Sequence, residues 1–261
     1  KAFGTYSYKD STKVTINSIY DLASLTKSAS TLLAVMKLYD EGRIGLTDKI
    51  SSYVPLLKGT NKERITIEEL LMHQSGLVSS LPFYKEFIDK SSYKGSFVKS
   101  RMDKNHSVQI GKDAYVPASF NYKKEYISST YSKDYPLQIS DSLFASANVK
   151  GMILTQIANS PLNDRKYVYS CLNFMLLKEM VENITKKTLD EYLDEKFYKP
   201  MRLDRIAYNP LRKFKVEEIV PTVENDYLHR GALLQGYVHD EAAAFMGGVS
   251  GNAGLFANAL D

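Results

Sequence analysis

The chain has 261 residues, of which 44% are hydrophobic and 25% charged, with a formal net charge of +4. This composition supports a sizeable core and excludes a disordered chain. Lysines and acids are interspersed without a long run of one sign, so no nucleic-acid partner is expected, and no apolar run approaches the roughly 18 residues that span a bilayer. The single cysteine, Cys171, excludes an internal disulfide. The four histidines, His73, His106, His229 and His239, lack HxxH or HxxxH spacing, and no Cys/His cluster exists, so neither a metal nor another cofactor is expected.

Residues 1–20 read as strand. "AFGTYSY" and "KVTINSIY" are rich in β-branched and aromatic residues, and "KDST" between them has turn composition. From Leu25 the period becomes helical, with Leu25, Ala29, Leu32, Leu33, Met36 and Tyr39 predicted on one apolar face and Gly42 as the stop. Thr66 and Glu69 form a capping box for a short helix that ends near His73, with Gly76 beyond. Residues 81–161 are polar and rich in Tyr, Ser and Lys, which predicts a loop-rich insertion or lid within a single domain over 1–261. A second strong helix starts at Leu172, and a third opens at the Thr188/Glu191 capping box and closes at Pro200. The Gly-rich "GGVSGNAGLFANALD" ends the chain.

"YDLASLTKSASTLLAVMKLYDEGRIGLTD" places Ser24 and Lys27 three residues apart at the mouth of the first helix. Side chains at i and i+3 share a helix face and can touch. A serine hydroxyl is a poor nucleophile until a neighbour takes its proton, and the positive end of a helix favours an oxyanion there. The pattern recurs at Ser91/Lys94 and Ser96/Lys99, but those pairs lie in the polar segment without an apolar face to anchor a site. From spacing alone Ser24 is either a nucleophile with Lys27 as its base, or a capping serine beside a solvated lysine. Tyr169, just ahead of the second helix, is a candidate proton relay or an ordinary aromatic. His73 reads as a loop-anchoring hydrogen-bonder, and a His73/Cys171 cysteine hydrolase is disfavoured because nothing charged in sequence lies near Cys171. His239-Asp240 and Glu224-Asn225-Asp226 either line the cleft or tie down loops, with loop ties favoured.

Together these segments resemble the β-lactamase-related serine hydrolases: class C β-lactamases, low-molecular-weight penicillin-binding proteins and similar esterases. "DLASLTKSASTLLAVMKLYDEGRIGLTDKISSYVPLL" is similar to the family's first-motif segment, and "ITIEELLMHQSGL" to its His-x-Ser-Gly landmark. "YVYSCLNFMLLKEMVE" is similar to its second motif, and "LLQGYVHDEAAAFMGGVSGNAGLF" to a Gly-rich landmark of one branch. That branch includes hydrolase domains joined to a family 3 glycoside hydrolase in bacterial cell-wall proteins. The resemblance implies Ser24 as acyl-accepting nucleophile, Lys27 as base, Tyr169 as relay to the leaving group, and the Ser24 N–H as an oxyanion donor. It departs at the second motif, where Tyr169-Ser170-Cys171 replaces Tyr-x-Asn or Tyr-x-Asp. Cys171 thus stands at a substrate-positioning site with a weakly bonding thiol. The third motif, Lys-Thr-Gly or His-x-Gly, is not found by Asp261, so the last strands are expected beyond this chain.

The expected architecture is therefore an α/β sandwich, an antiparallel sheet flanked by helices plus a helical region, with C-terminal strands missing. The expected function is serine acyl hydrolysis, through an acyl-enzyme, of an ester, a β-lactam or a peptidoglycan-type amide. The rival is a non-catalytic module that binds wall peptide or glycan. The resemblance implies the bacterial periplasm or cell envelope, a small-molecule or cell-wall peptide substrate, and a glycoside hydrolase domain in the same polypeptide.

Overall fold

The computed structural model describes residues 1–227 and 229–261. Its central feature is a three-stranded antiparallel sheet of β1 (Tyr20–Asp21), β7 (Ile206–Tyr208) and β8 (Leu255–Ala257), in the order β1-β8-β7. Ala257 pairs with both Tyr20 and Ile206, and Phe256 with both Asp21 and Ala207. β8 is flanked on both sides and buried at all three residues, so it reads as a continuous apolar run rather than an alternating one. The helices α1 (Leu33–Asp40), α5 (Cys171–Thr185) and α6 (Leu189–Leu193) pack against one another, and α2 (Ile67–Leu71) packs on α5. This mixed architecture of small antiparallel sheets and helices is the expected fold class. Both capping boxes form, Thr66 with Glu69 and Thr188 with Glu191.

Two expectations are corrected. Residues 1–20 are not two strands. Before β1 they form two isolated bridges, Thr5 to Lys13 and Ile19 to Ile219, and Phe3, Tyr8 and Ile16 are exposed. Strand propensity is realised only where a partner ladder and a buried face exist, and before Tyr20 only Tyr6 and Ile19 among the apolar side chains are buried.

The face chosen for the first helix is also wrong. The segment is a 3₁₀ turn (Ala23–Leu25), then π-helical turns (Lys27–Leu32), then α1, and Leu25, Met36 and Tyr39 are exposed. The buried stripe is Thr26, Lys27, Ser30, Thr31, Ala34, Val35 and Leu38. Its polar half is tolerated because each group has a partner. Thr26 Oγ1 accepts from Leu255 N at 3.1 Å, Thr31 Oγ1 donates to Gly251 O at 2.8 Å, and Ser30 Oγ lies 2.6 Å from the Tyr208 hydroxyl.

The polar segment 81–161 is more structured than its composition suggests. It holds the short helix α3 (Tyr84–Phe87), the hairpin of β2 (Val108–Gly111) and β3 (Ala114–Val116), and a sheet of β4 (Ile127–Ser128), β6 (Leu143–Ala145) and β5 (Leu137–Ser140). It also contains α4 (Asn148–Asn159), whose Val149, Ile153 and Ile157 join the main core at helical spacing. A satellite cluster of Ile88, Phe97 and Val116 lies under surrounding tyrosines and phenylalanines.

Candidate active site

β1 ends at Asp21, and the chain must turn at once into the helical segment. Asp21 Oδ1 accepts the Ala23 N–H at 2.8 Å, and Leu22 N donates to Leu255 O at 2.9 Å. Between these ties Ala23 adopts φ +45°, a left-handed conformation that a side chain other than glycine holds only when its surroundings impose it. The next residue is Ser24, exposed in the 3₁₀ turn.

Lys27 is buried one turn further on. Its Nζ donates to Ser24 Oγ at 3.0 Å, to the carbonyl of Asn252 at 3.0 Å and to Cys171 Sγ at 3.5 Å. An ammonium has three donors, and these partners account for all of them. The rings of Tyr169 and Phe174 complete the enclosure, with their centroids 4.9 Å and 5.9 Å from Nζ. The fold thus brings all four predicted residues, Ser24, Lys27, Tyr169 and Cys171, around one nitrogen. Tyr169 meets Lys27 through its ring face, and Cys171 meets it directly as the first residue of α5.

His73 holds the Tyr169 segment from both sides. Its carbonyl accepts Val168 N at 2.9 Å and its Nδ1 accepts Ser170 N at 3.1 Å, while its ring lies 4.7 Å from that of Tyr169. Asn173 Nδ2 also donates to Nδ1 at 3.0 Å, and Asn173 Oδ1 accepts from Ser75 Oγ at 2.6 Å. A backbone N–H can only donate, so Nδ1 is an acceptor and the imidazole is neutral. Burial, and then the nearby Lys27 charge, push the His73 pKa below its ordinary value in agreement with this. His73 sits at φ +55° just past α2, which lets the chain reverse toward Tyr169. It is the loop anchor expected from the sequence, and its anchored loop carries a site residue.

The Asn252 carbonyl was missed by sequence reasoning, since a backbone acceptor leaves no residue signature. The nearest signal was the run of glycines around it. Gly251 shows why glycine is required there: a Cβ would collide with the Phe174 carbonyl oxygen and lie 2.9 Å from Lys178 Cβ. The loop therefore presses against α5 and can deliver the Asn252 carbonyl to Lys27. Ser91 and Lys99 of the two other Ser-x-x-Lys pairs bond to Asp89 and Asp103 instead. No group of His, Cys, Asp and Glu that could hold a metal ion exists among the described residues.

A serine hydroxyl within hydrogen-bond reach of a buried lysine, at a strained turn between strand and helix, is the arrangement of β-lactamase-type serine hydrolases. A family model for β-lactamases matches residues 1–261, and the chain belongs to that family. It is 32% identical over 268 residues to an N-acetylmuramyl-L-alanine amidase of Bacillus subtilis (strain 168), covering 95% of this chain and 49% of that protein. It is 31% identical to a putative D-alanyl-D-alanine carboxypeptidase of Escherichia coli (strain K12), covering 99% of this chain and 52% of that one. The chain thus spans about half the length of these relatives. Among solved structures, a penicillin-binding protein homologue from Pyrococcus abyssi superposes with a TM-score of 0.59 at 21% identity, covering 99% of this chain and 46% of that one. A class C β-lactamase from Rhodobacter sphaeroides gives 0.54 at 14% identity, covering 99% and 53%.

Proposed function

We propose that this protein is a serine acyl hydrolase that cleaves a peptidoglycan-type amide through an acyl-enzyme. The observation that carries this reading is the 3.0 Å contact between Lys27 Nζ and Ser24 Oγ, with the lysine fixed from behind by the Asn252 carbonyl. With its amine unprotonated, Lys27 takes the Ser24 proton as Oγ attacks the substrate carbonyl. The oxyanion forms at the helix mouth, where the Ser24 N–H is available as a donor. As the tetrahedral intermediate collapses, the C–N bond breaks. The leaving nitrogen then receives a proton through Lys27 or the Tyr169 hydroxyl. Water then attacks the ester and gives a proton to the same base, the acyl C–Oγ bond breaks, and that proton passes to Ser24 Oγ as the acid leaves. The relatives' names, a cell-wall amidase and putative D-alanyl-D-alanine carboxypeptidases, support the substrate class and a place in the bacterial envelope. No helix among the described residues is long and apolar enough to cross a membrane.

Intact-protein mass after incubation with a fluorophosphonate tests the reading. A single adduct that disappears in Ser24→Ala and slows by on the order of a thousandfold in Lys27→Met is expected. A folded chain that forms no adduct would sink it. Cys171 beside Lys27 favours a second reading, a cleft that holds wall peptide or glycan without turnover, because a thiol replaces the stronger partner of the family motif. Saturable peptide binding with no adduct would support it.

A further inference from the structure

The turn that carries Ser24 has no packing of its own, since Ala23, Ser24 and Leu25 are all exposed. Yet Ala23 sits at φ +45°. A strained residue persists only where its surroundings over-determine it, and without buried contacts that task falls to hydrogen bonds. The Ala23 carbonyl accepts from Thr26 N, and the Ala23 N–H goes to Asp21 Oδ1 at 2.8 Å.

Asp21 does more than close a local turn. Its second oxygen accepts the His239 N–H, also at 2.8 Å, from 218 positions away. His239 is itself a fixed point. Its carbonyl accepts from Arg230 Nη2 at 2.8 Å, and the Val238 carbonyl accepts from Arg230 Nη1 at 2.6 Å. Arg230 is buried and paired with Asp226. On the other side of His239, Asp240 Oδ1 accepts Ala243 N at 2.8 Å and opens α7 (Glu241–Phe245), whose Ala243 and Phe245 lie in the core. One carboxylate therefore ties an exposed, strained turn to a segment anchored in the core.

The charge itself does not stabilise the fold. Burial pushes the Asp21 pKa up, even against the bonds from His239 and Ala23, and the neighbouring Asp240 carboxylate adds to the rise. Ionising Asp21 thus weakens the fold as pH rises through that raised value. What the ionised form supplies is two acceptor oxygens in a fixed geometry, where an amide has one.

We infer that Asp21 is a positioning residue for the nucleophile. It sets the Ser24 turn against the His239 segment, so that Ser24 Oγ stays within reach of Lys27. It touches none of the reacting atoms, and its part in catalysis rests on the hydrolase reading above.

The test labels the full chain with a fluorophosphonate over a range of probe concentrations. The limiting rate is read separately from the half-saturating concentration. Asp21→Ala removes both bonds, Asp21→Asn keeps one acceptor oxygen, and His239→Pro removes only the N–H of the remote bond. In Asp21→Ala the limiting rate should fall on the order of a hundredfold, the cost of about 1 Å of displacement, with the half-saturating concentration unchanged. Asp21→Asn should fall between, roughly tenfold below the parent. His239→Pro should also slow labelling, but combined with Asp21→Ala it should add nothing, because the bond it removes is already gone. Amide hydrogen exchange at Ala23 gives a readout that needs no chemistry, and it should quicken in Asp21→Ala and in His239→Pro. If His239→Pro does not fold, the Asn and Ala variants decide. A folded Asp21→Ala with the parent's limiting rate, or losses that multiply in the double variant, overturns the proposal. An unlabelled parent whose Ala23 exchange still responds to both variants refutes the hydrolase reading and keeps the tie. A labelled parent whose variants label and exchange as it does refutes the tie alone.

Discussion

Replacing His73 with phenylalanine isolates what its Nδ1 does. The new ring preserves the contacts to Tyr169 and Phe174, at 4.7 and 5.4 Å between centroids in the parent. It removes the acceptor for Ser170 N and Asn173 Nδ2. A buried donor without a partner costs about 1–3 kcal/mol, and both of these are partly buried, so a combined loss of about 2–3 kcal/mol in stability is expected. The functional loss is larger in proportion. Tyr169 is held between the two flanking bonds to His73, and a displacement of about 1 Å from a reactive geometry costs on the order of a hundredfold in rate. The sign of the pH effect follows from the depressed pKa of His73. The native state binds this proton less well than the unfolded chain, so its contribution is intact above the ordinary value of 6.5 and is lost as pH falls below it. His73→Phe should therefore lower the melting temperature at neutral pH and flatten the dependence below pH 6.5. It should also slow fluorophosphonate acylation of Ser24 by on the order of a hundredfold. A variant that acylates at the parent rate, with parent stability, would refute the clamp.

Three further outcomes follow from other contacts. Glu182 accepts from Lys178 and from Lys150, each at 2.7 Å, and Lys178 is buried. Glu182→Gln strands that charge and should cost about 3–5 kcal/mol in chemical denaturation. The Glu182 pKa is lowered: burial opposes this, but the Lys178 and Lys150 charges outweigh it. The parent's stabilisation from this network is thus present above the ordinary carboxylate range and fades as pH falls through it, a slope the variant should lack. Cys171→Asn gives Lys27 an amide in place of a thiol and should raise the Ser24 acylation rate roughly fivefold, in labelling time courses. Gly251→Ala drives a methyl group into the Phe174 carbonyl and should destabilise the chain by about 2–4 kcal/mol in thermal melts, with slower labelling of Ser24 as the Asn252 carbonyl is displaced.

What was legible in the sequence was what is local. Ser24 and Lys27 meet because one helical turn joins them, and the capping boxes at Thr66 and Thr188 are written within four residues. Tyr169 and Cys171 were found by motif, and the fold then placed them at the same nitrogen. The buried side of the first helical segment was misread because periodicity counts apolar residues, and this helix buries Lys27, Ser30 and Thr31. Each of those is matched by a group from residues 208–252, which no local window contains. The apolar spacing of Val149, Ile153 and Ile157 in α4 was visible but was masked by the polar segment before it. The strands expected in residues 1–20 failed for the reverse reason: their composition was suitable, but before Tyr20 they met only isolated bridges, Thr5 to Lys13 and Ile19 to Ile219.

The bonds that fix Lys27 beside Ser24 also set when the pair can form. Lys27 reaches Asn252 across 225 positions, and Thr26 reaches Leu255 across 229. At a synthesis rate of about 5–20 residues per second, the Ser24 turn emerges at least ten seconds before the segment that fixes its lysine. Over that interval the growing chain carries the serine and the lysine but no carbonyl anchor and no central strand. On the proposed hydrolase reading, chains still unfolded are chemically silent. Under the same reading, acylation begins only once β8 has closed between β1 and β7.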